Sequence, residues 1–117
     1  MIRHVNESGS INISTSVYTE IAGTAASNCF GVKGMAARSV KDGVYRLLRK
    51  ESAGKGVRVI FHDDGTISID LHIMVDNGVN LTAVGASIIS EVRYVVNKCT
   101  GTEVQAINVY IDSMMIG

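Results

Sequence analysis

The alternation of apolar and polar residues predicts strands near both ends of the chain. Ser10-Ile11-Asn12-Ile13-Ser14 alternates with the two-residue period of a half-buried strand. The same period returns between residues 104 and 112, so we expect a second strand there. One face of this strand is aliphatic and the other is polar: Ile107, Val109 and Ile111 against Tyr110 and Asp112.

Three longer stretches have the wider spacing of amphipathic helices. The first is expected to begin at Ser16, whose hydroxyl can cap it, and to present the stripe Val17, Ile21, Ala25 and Cys29. The second is expected from about Met35 to Lys50, after two glycines that end the first. The third follows the capping residue Asn80 and ends at Gly101, with the stripe Val84, Ile88, Val92, Val95 and Cys99.

Residues 57–73 predict a β-hairpin that turns at Asp63-Asp64-Gly65. A two-residue turn would mix apolar and polar side chains on both faces of this hairpin. A three-residue loop with Gly65 in the left-handed conformation and a Gly bulge avoids that conflict. It pairs like with like across the strands: Phe61 with Ile67, Val59 with Ile69, Val57 with Leu71, and Arg58 with Asp70.

These elements predict an α+β fold of the order β-α-α-β-β-α-β. Such an order fits a two-layer sandwich, in which three helices cover one face of a mixed or antiparallel sheet of about four strands. The length of 117 residues fits a single domain over residues 1–117.

Charge and cysteine usage narrow the class of protein. Eleven basic residues balance eleven acidic ones, so no overall field steers the chain toward nucleic acid or an anionic membrane. Cys29 and Cys99 lie far apart without metal-site spacing, which predicts buried, reduced thiols. The first ten residues lack the apolar stretch of a signal peptide, and no run reaches the roughly 20 apolar residues of a spanning helix. We expect a cytoplasmic protein that meets a membrane only through a partner.

No catalytic constellation stands out along the chain. His62 and His72 lie on the same predicted hairpin but at opposite ends, so they are expected to be solvated rather than metal ligands. Asp63 and Asp64 read as turn residues. No nucleophile-elbow, HExxH or Walker spacing occurs. We therefore predict no catalytic residues, no metal, no cofactor and no enzymatic activity.

The segment Gly31-Val32-Lys33-Gly34 allows three interpretations. It could simply turn the chain, it could form a protein-contact loop, or it could clamp a nucleic-acid backbone as the GxxG loop between two helices does in KH domains. Met35 and Arg38 extend this candidate interaction loop, and Lys33 offers a phosphate partner. Zero net charge counts against a nucleic-acid partner.

Several segments between about residues 9 and 111 form a characteristic set, and the most specific of them is the loop Phe30-Gly31-Val32-Lys33-Gly34-Met35. The other segments are Gly9–Ser14, Lys41-Asp42-Gly43-Val44, Leu47–Glu51 and Thr100-Gly101 before Val104 to Val109. Together these segments resemble the bacterial alkaline shock protein family of envelope stress proteins. This chain lacks the long charged tails of the stress-induced members.

The resemblance implies a non-enzymatic cytoplasmic protein of Gram-positive-type bacteria that acts in envelope homeostasis or stress. It further implies self-association and a protein partner, either a membrane-anchored envelope protein or a metabolic enzyme. From the residues we expect the contact edge at Tyr110, Met114 and Met115, where an aromatic ring and a Met-rich tail follow the last strand. The alternative hypothesis is a KH-like RNA-binding domain that uses Gly31 to Gly34.

Overall fold

The computed structural model describes residues 2–38 and 43–115. These described residues form seven strands, two α-helices and a 3₁₀ helix over Lys50–Gly56. The strands are β1 (Ile2–Asn6), β2 (Gly9–Ile13), β3 (Val32–Arg38), β4 (Tyr45–Leu47), β5 (Val57–Phe61), β6 (Ile67–Asp76) and β7 (Val104–Met115). The α-helices are α1 (Thr15–Ser27) and α2 (Leu81–Thr100).

The long strand β6 organises a five-stranded mixed sheet. One side of β6 pairs antiparallel with β5 over Ile67–Leu71 and with β3 over residues 73–75. The other side pairs with β7 in parallel along its whole length. β4 pairs with β3, while β1 and β2 form a separate hairpin. The predicted α+β class and mixed sheet are confirmed, and strands β1, β3 and β4 are additional to the prediction.

Helices α1 and α2 pack on one face of the sheet and close the core. Alternate residues of β6 are fully buried under them, whereas the residues between, Ser68, Asp70 and His72, are half-buried on the opposite face. The core consists of aliphatic side chains with one ring at its edge: Tyr18, Ile67, Ile69, Leu71, Ile73, Val84, Ile88, Val92 and Val96.

The β5–β6 hairpin has the predicted register. Val59 pairs with Ile69 and Arg58 with Asp70, and Gly65 adopts a φ of 87° in the three-residue loop. Both the side chain and the backbone amide of Thr66 donate to Asp64, and these hydrogen bonds hold the pKa of that carboxyl below its usual range. Asp64 is therefore a turn residue, as its position predicts.

The third predicted helix is also confirmed, as α2. Asn80 Oδ1 accepts from the Ala83 amide at 3.0 Å, and Gly101 ends the helix at a φ of 72°. Its core stripe runs from Val84 to Val96, and two members of the predicted stripe lie beside it. Val95 is half-buried and Cys99 is exposed, so the expectation of a buried thiol is wrong for Cys99.

The second predicted helix is wrong. The segment expected to be helical from Met35 to Lys50 instead contains β3 and β4, and its residues 39–42 lie outside the described ones. The physical reason is the length of β6. β5 covers only the first half of β6, so the backbone groups near Ile73 need another partner, which Met35 provides.

The first helix is correct in place but not in phase. α1 begins at Thr15, so Ser16 lies inside it and does not cap it. Val17 is 39% exposed, whereas the next residue, Tyr18, is completely buried. The Tyr18 hydroxyl shares a buried hydrogen bond of 2.7 Å with Thr102, and this bond fixes the rotation of the helix over the sheet.

Candidate functional site

The two glycines of the candidate loop differ in how strictly their surroundings require glycine. Gly31 has a φ of 86°, and its carbonyl accepts from the Asp76 amide at 2.9 Å. A Cβ at Gly31 would approach Val84 Cγ2 to 3.0 Å, and one at Gly34 would approach Leu47 Cδ1 to 2.9 Å. Gly31 is therefore restricted to glycine by its turn conformation, in agreement with the turn interpretation, whereas at Gly34, inside β3, only the end of the exposed Leu47 side chain would have to move.

The other residues of the candidate loop lie along strand β3 and do not form a loop. Residues 32–38 form a strand, so the expectation of a GxxG loop between two helices is wrong, and with it the geometry of a KH clamp. Met35 is buried in the core, while Arg38 is the last residue of β3. Lys33 is exposed and lines a cleft of about 290 Å³ together with Arg49 and Lys50.

The predicted contact edge lies on β7, which forms the border of the sheet. Tyr110 is 46% exposed and sits opposite His72, on the face away from the helices. Met114 is 39% exposed and pairs with Val75, whose side chain points to the core face. Met115 pairs through its backbone with Asp76. Tyr110 and Met114 thus point to opposite faces of one edge strand, so they do not form a single patch.

The open face of the sheet carries a row of three stacked rings. His72 stacks on Tyr110 with ring centroids 4.8 Å apart, and Tyr45 continues the row at 6.1 Å from His72. His72 Nδ1 lies 3.0 Å from Asp112 Oδ2, which fixes the imidazole between the two rings. Amphipathic rings of this kind are typical of protein contacts, because they bury a large area at low entropic cost.

The two histidines of the hairpin lie apart, as their spacing predicts. The backbone amide of His62 donates to the Thr66 carbonyl at 2.9 Å, and its ring shares a hydrogen bond of 2.7 Å with Ser68. His72 belongs to the ring row instead. Within residues 2–38 and 43–115, no three His, Cys, Asp or Glu side chains gather as metal ligands would.

A groove between α1 and α2 is the site that the sequence patterns did not indicate. It has a volume of about 620 Å³, and ten residues from α1, the two positions after α1, and α2 line it. They are Glu20, Ile21, Thr24, Ala25, Asn28, Cys29, Ser87, Glu91, Val95 and Cys99. The available signal was the pair of predicted helix stripes, because five of their members line this groove.

Burial and the charge of Glu91 determine the electrostatic environment of Cys29 in the groove. Burial raises the pKa of the Cys29 thiol, and the charge of Glu91 raises it further. The Cys29 Sγ also donates to the Ala25 carbonyl at 3.4 Å. Cys29 is therefore held as a neutral thiol, which is the opposite of an activated nucleophile.

The fold and its surfaces define a small α+β sandwich with an open sheet face and a helix groove. A sequence model of the alkaline shock protein 23 (Asp-twenty-three) family, described by a cell envelope-related function, matches residues 3–116. The chain belongs to this family, which confirms the resemblance drawn from its segments.

Three relatives show how closely the chain follows this family. The uncharacterised protein YloU of Bacillus subtilis is 36% identical over 109 residues, which cover 92% of this chain and 90% of YloU. Protein Spy1614 of Streptococcus pyogenes is 35% identical over 109 residues, covering 92% and 89%. Protein YqhY of B. subtilis is 36% identical over 103 residues, covering 88% and 75%. No solved structure matches the chain significantly.

Among the described residues, no helix combines the length and the apolar character that crossing a lipid bilayer requires.

Proposed function

We propose that this chain is a non-enzymatic protein-interaction module of the cell envelope that associates with copies of itself through β7. The observation that carries the proposal is the uncovered edge of β7. This strand is twelve residues long, and no other strand in the described parts of the chain pairs with its outer side. A free edge of this length presents unpaired backbone donors and acceptors to another chain.

The middle of β7, between its two register shifts and before Asp112, has a composition that favours pairing rather than protection. Natural edge strands are commonly guarded by charged residues or proline. Here the stretch from Ala106 to Ile111 contains neither. Its pairing with β6 is regular between two register shifts, so the stretch is a straight template. Antiparallel pairing of two copies would therefore oppose no like charges.

The ring row on the open face extends the same contact area. Tyr110 belongs both to the β7 edge and to the stack with His72, so a second copy at the edge would lie beside the rings. Membership of a family with a cell envelope-related function supports work at the envelope. We place the chain in the cytoplasm, with a membrane-anchored envelope protein or a metabolic enzyme as its partner.

Two observations support a non-enzymatic role. The pKa of Asp64 is lowered by turn hydrogen bonds from Thr66, which is a structural use of a carboxylate. The Cys29 thiol has a raised pKa, which disfavours the thiolate.

The test introduces charge at the edge. We expect Asn108→Lys/Tyr110→Lys to reduce the mass measured by light scattering to that of the 12.5 kDa chain, because paired lysines repel across the edge. Tyr94→Lys is the matched control, since Tyr94 is an exposed ring on α2. A monomeric parent chain at about 100 μM, or an oligomer that survives in the double variant, would contradict self-association through β7.

A further inference from the structure

We propose that the groove between α1 and α2 binds a basic amphipathic helix from a partner protein. This surface lies on the helical layer, whereas the proposed self-association uses the sheet edge. The inference therefore goes beyond the function proposed above, and each can fail without the other.

The shape of the groove fits a helix. Ser87, Glu91, Val95 and Cys99 follow one another at four-residue spacing along α2 and form one wall. This wall extends over three helical turns, or about 18 Å at 1.5 Å per residue. An apolar seam of that length between two helices accepts the i, i+3, i+4, i+7 stripe of a third.

The charge of the groove specifies a basic partner. Glu20 stands on the α1 wall and Glu91 on the α2 wall, and the ten lining residues include no Lys, Arg or His. The field of Glu91 reaches the floor, since it contributes to the raised pKa of Cys29. The adjacent Lys98 lies over the Tyr94 ring, at 5.6 Å from its centroid, and does not line the groove. A helix with lysines on both flanks of an apolar stripe complements these two walls.

An exposed aromatic side chain extends the groove at one end. Phe30 is 90% exposed and lines a second hollow of about 430 Å³ with Val79 and Val84. Ser87 lines both hollows, so they form a continuous surface. A solvent-exposed phenylalanine next to an apolar depression is the kind of anchor that dominates binding energy at protein interfaces.

A second copy of this chain is a poorer occupant of the groove. Its α1 carries Glu20 and no basic residue, so two acidic surfaces would meet. Its α2 forms the other wall of its own groove. A helix from a different protein therefore fits the groove better.

The experiment measures binding of a model helix to the full chain. The ligand is a fluorescein-labelled 14-residue peptide with leucines at i, i+3, i+4 and i+7 and lysines on both flanks. Two control peptides carry either glutamate in place of lysine or the same residues in scrambled order. A second readout is the alkylation rate of Cys99 in a Cys29→Ser background, because Cys99 is an exposed thiol inside the groove.

The variants separate charge from shape. We expect Glu20→Lys/Glu91→Lys to weaken the affinity for the lysine peptide at least tenfold. The matched control reverses two exposed carboxylates outside the groove, Glu7→Lys/Glu103→Lys, and should change this affinity less than twofold. We expect Phe30→Ala to weaken it severalfold, with Tyr94→Ala as the matched exposed ring. All of these side chains are exposed, so the fold is retained.

The outcomes decide between occupants. Salt-sensitive binding of the lysine peptide that slows Cys99 alkylation supports the proposal. Equal binding of the glutamate or scrambled peptide, equal effects of the two charge reversals, or no binding at about 1 mM peptide would overturn it. Protection of Cys99 that rises with protein concentration in the absence of peptide would assign the groove to a second copy and also overturn it. The oligomer mass of the groove variants shows separately whether β7 association is intact.

Discussion

The buried hydrogen bond between Tyr18 and Thr102 permits a strict test of how the helical layer is fixed to the sheet. The two oxygens are 2.7 Å apart, both residues are buried, and 84 positions separate them in the chain. Tyr18→Phe removes one partner and leaves the ring contact with Phe61, whose centroid lies 5.9 Å away. Thr102→Val removes the other partner with little change of shape.

The expected magnitudes follow from desolvation. Each single variant leaves one buried hydroxyl without this bond, which costs about 1–3 kcal/mol of unfolding free energy. The double variant removes both polar groups, so we expect it to cost no more than either single variant. The coupling free energy of the pair is then on the order of 1 kcal/mol or larger. The backbone bonds of Thr102, to Asn97 and Thr100, are unaffected by the valine.

The assay is urea unfolding of the four proteins of the double-mutant cycle, monitored by circular dichroism. The unfolding free energies are comparable when the four proteins have the same m-value. Tyr94→Phe serves as a control for loss of an exposed tyrosine hydroxyl, and its effect should stay within about 0.5 kcal/mol. Additive single-variant costs, with a coupling below about 0.3 kcal/mol, would refute the assignment of this bond as the link between α1 and the start of β7.

Two further predictions concern backbone strain and thiol chemistry. Gly31→Ala should destabilise the fold by about 1 kcal/mol more than Gly78→Ala, as measured by urea unfolding. Both glycines have a φ of 86°, but of the two only Gly31 would place a Cβ within 4 Å of other atoms. Equal costs of the two substitutions would contradict the close packing at Gly31. In a Cys99→Ser background, alkylation of Cys29 should require a higher pH than that of an ordinary thiol, and Glu91→Gln should lower the pH midpoint of this reaction; an unchanged midpoint would contradict the role of Glu91. Since the folded-state pKa of Cys29 is raised, its contribution to stability is present below the ordinary thiol pKa and is lost as the pH rises through the raised value.

Local patterns were sufficient where neighbouring residues carry the information. The register of the β5–β6 hairpin follows from side-chain alternation and the demand of Gly65 for a positive φ, so Val59 could be paired with Ile69 in advance. The limits of α2 follow from Asn80 and Gly101, which act on the nearest backbone groups.

Partners distant in the chain decided the features that could not be predicted. Residues 35–38 belong to a stretch whose pattern predicts a helix, yet Met35 pairs with Ile73 because β6 extends beyond β5. The phase of α1 depends on Tyr18 reaching Thr102, which lies at the other end of the chain. A one-residue error in phase exchanged the core face of the helix for the groove face.

The candidate surfaces divide in the same way. The position of Tyr110 on the last strand was predictable, because alternation assigns its side chain to the face opposite that of Val109 and Ile111. The row of rings was not predictable, since Tyr45 reaches His72 through a strand that was expected to be helical.

The sequence by itself determined the α+β class, the β5–β6 hairpin, helix α2 and the family, because each rests on short-range periodicity, turn chemistry or residue identity. The tertiary structure decided the partner of the second half of β6, the rotation of α1, and therefore the groove between the helices. These features depend on contacts between segments far apart in the chain, and a periodic stripe of apolar residues does not determine which of two surfaces it packs against.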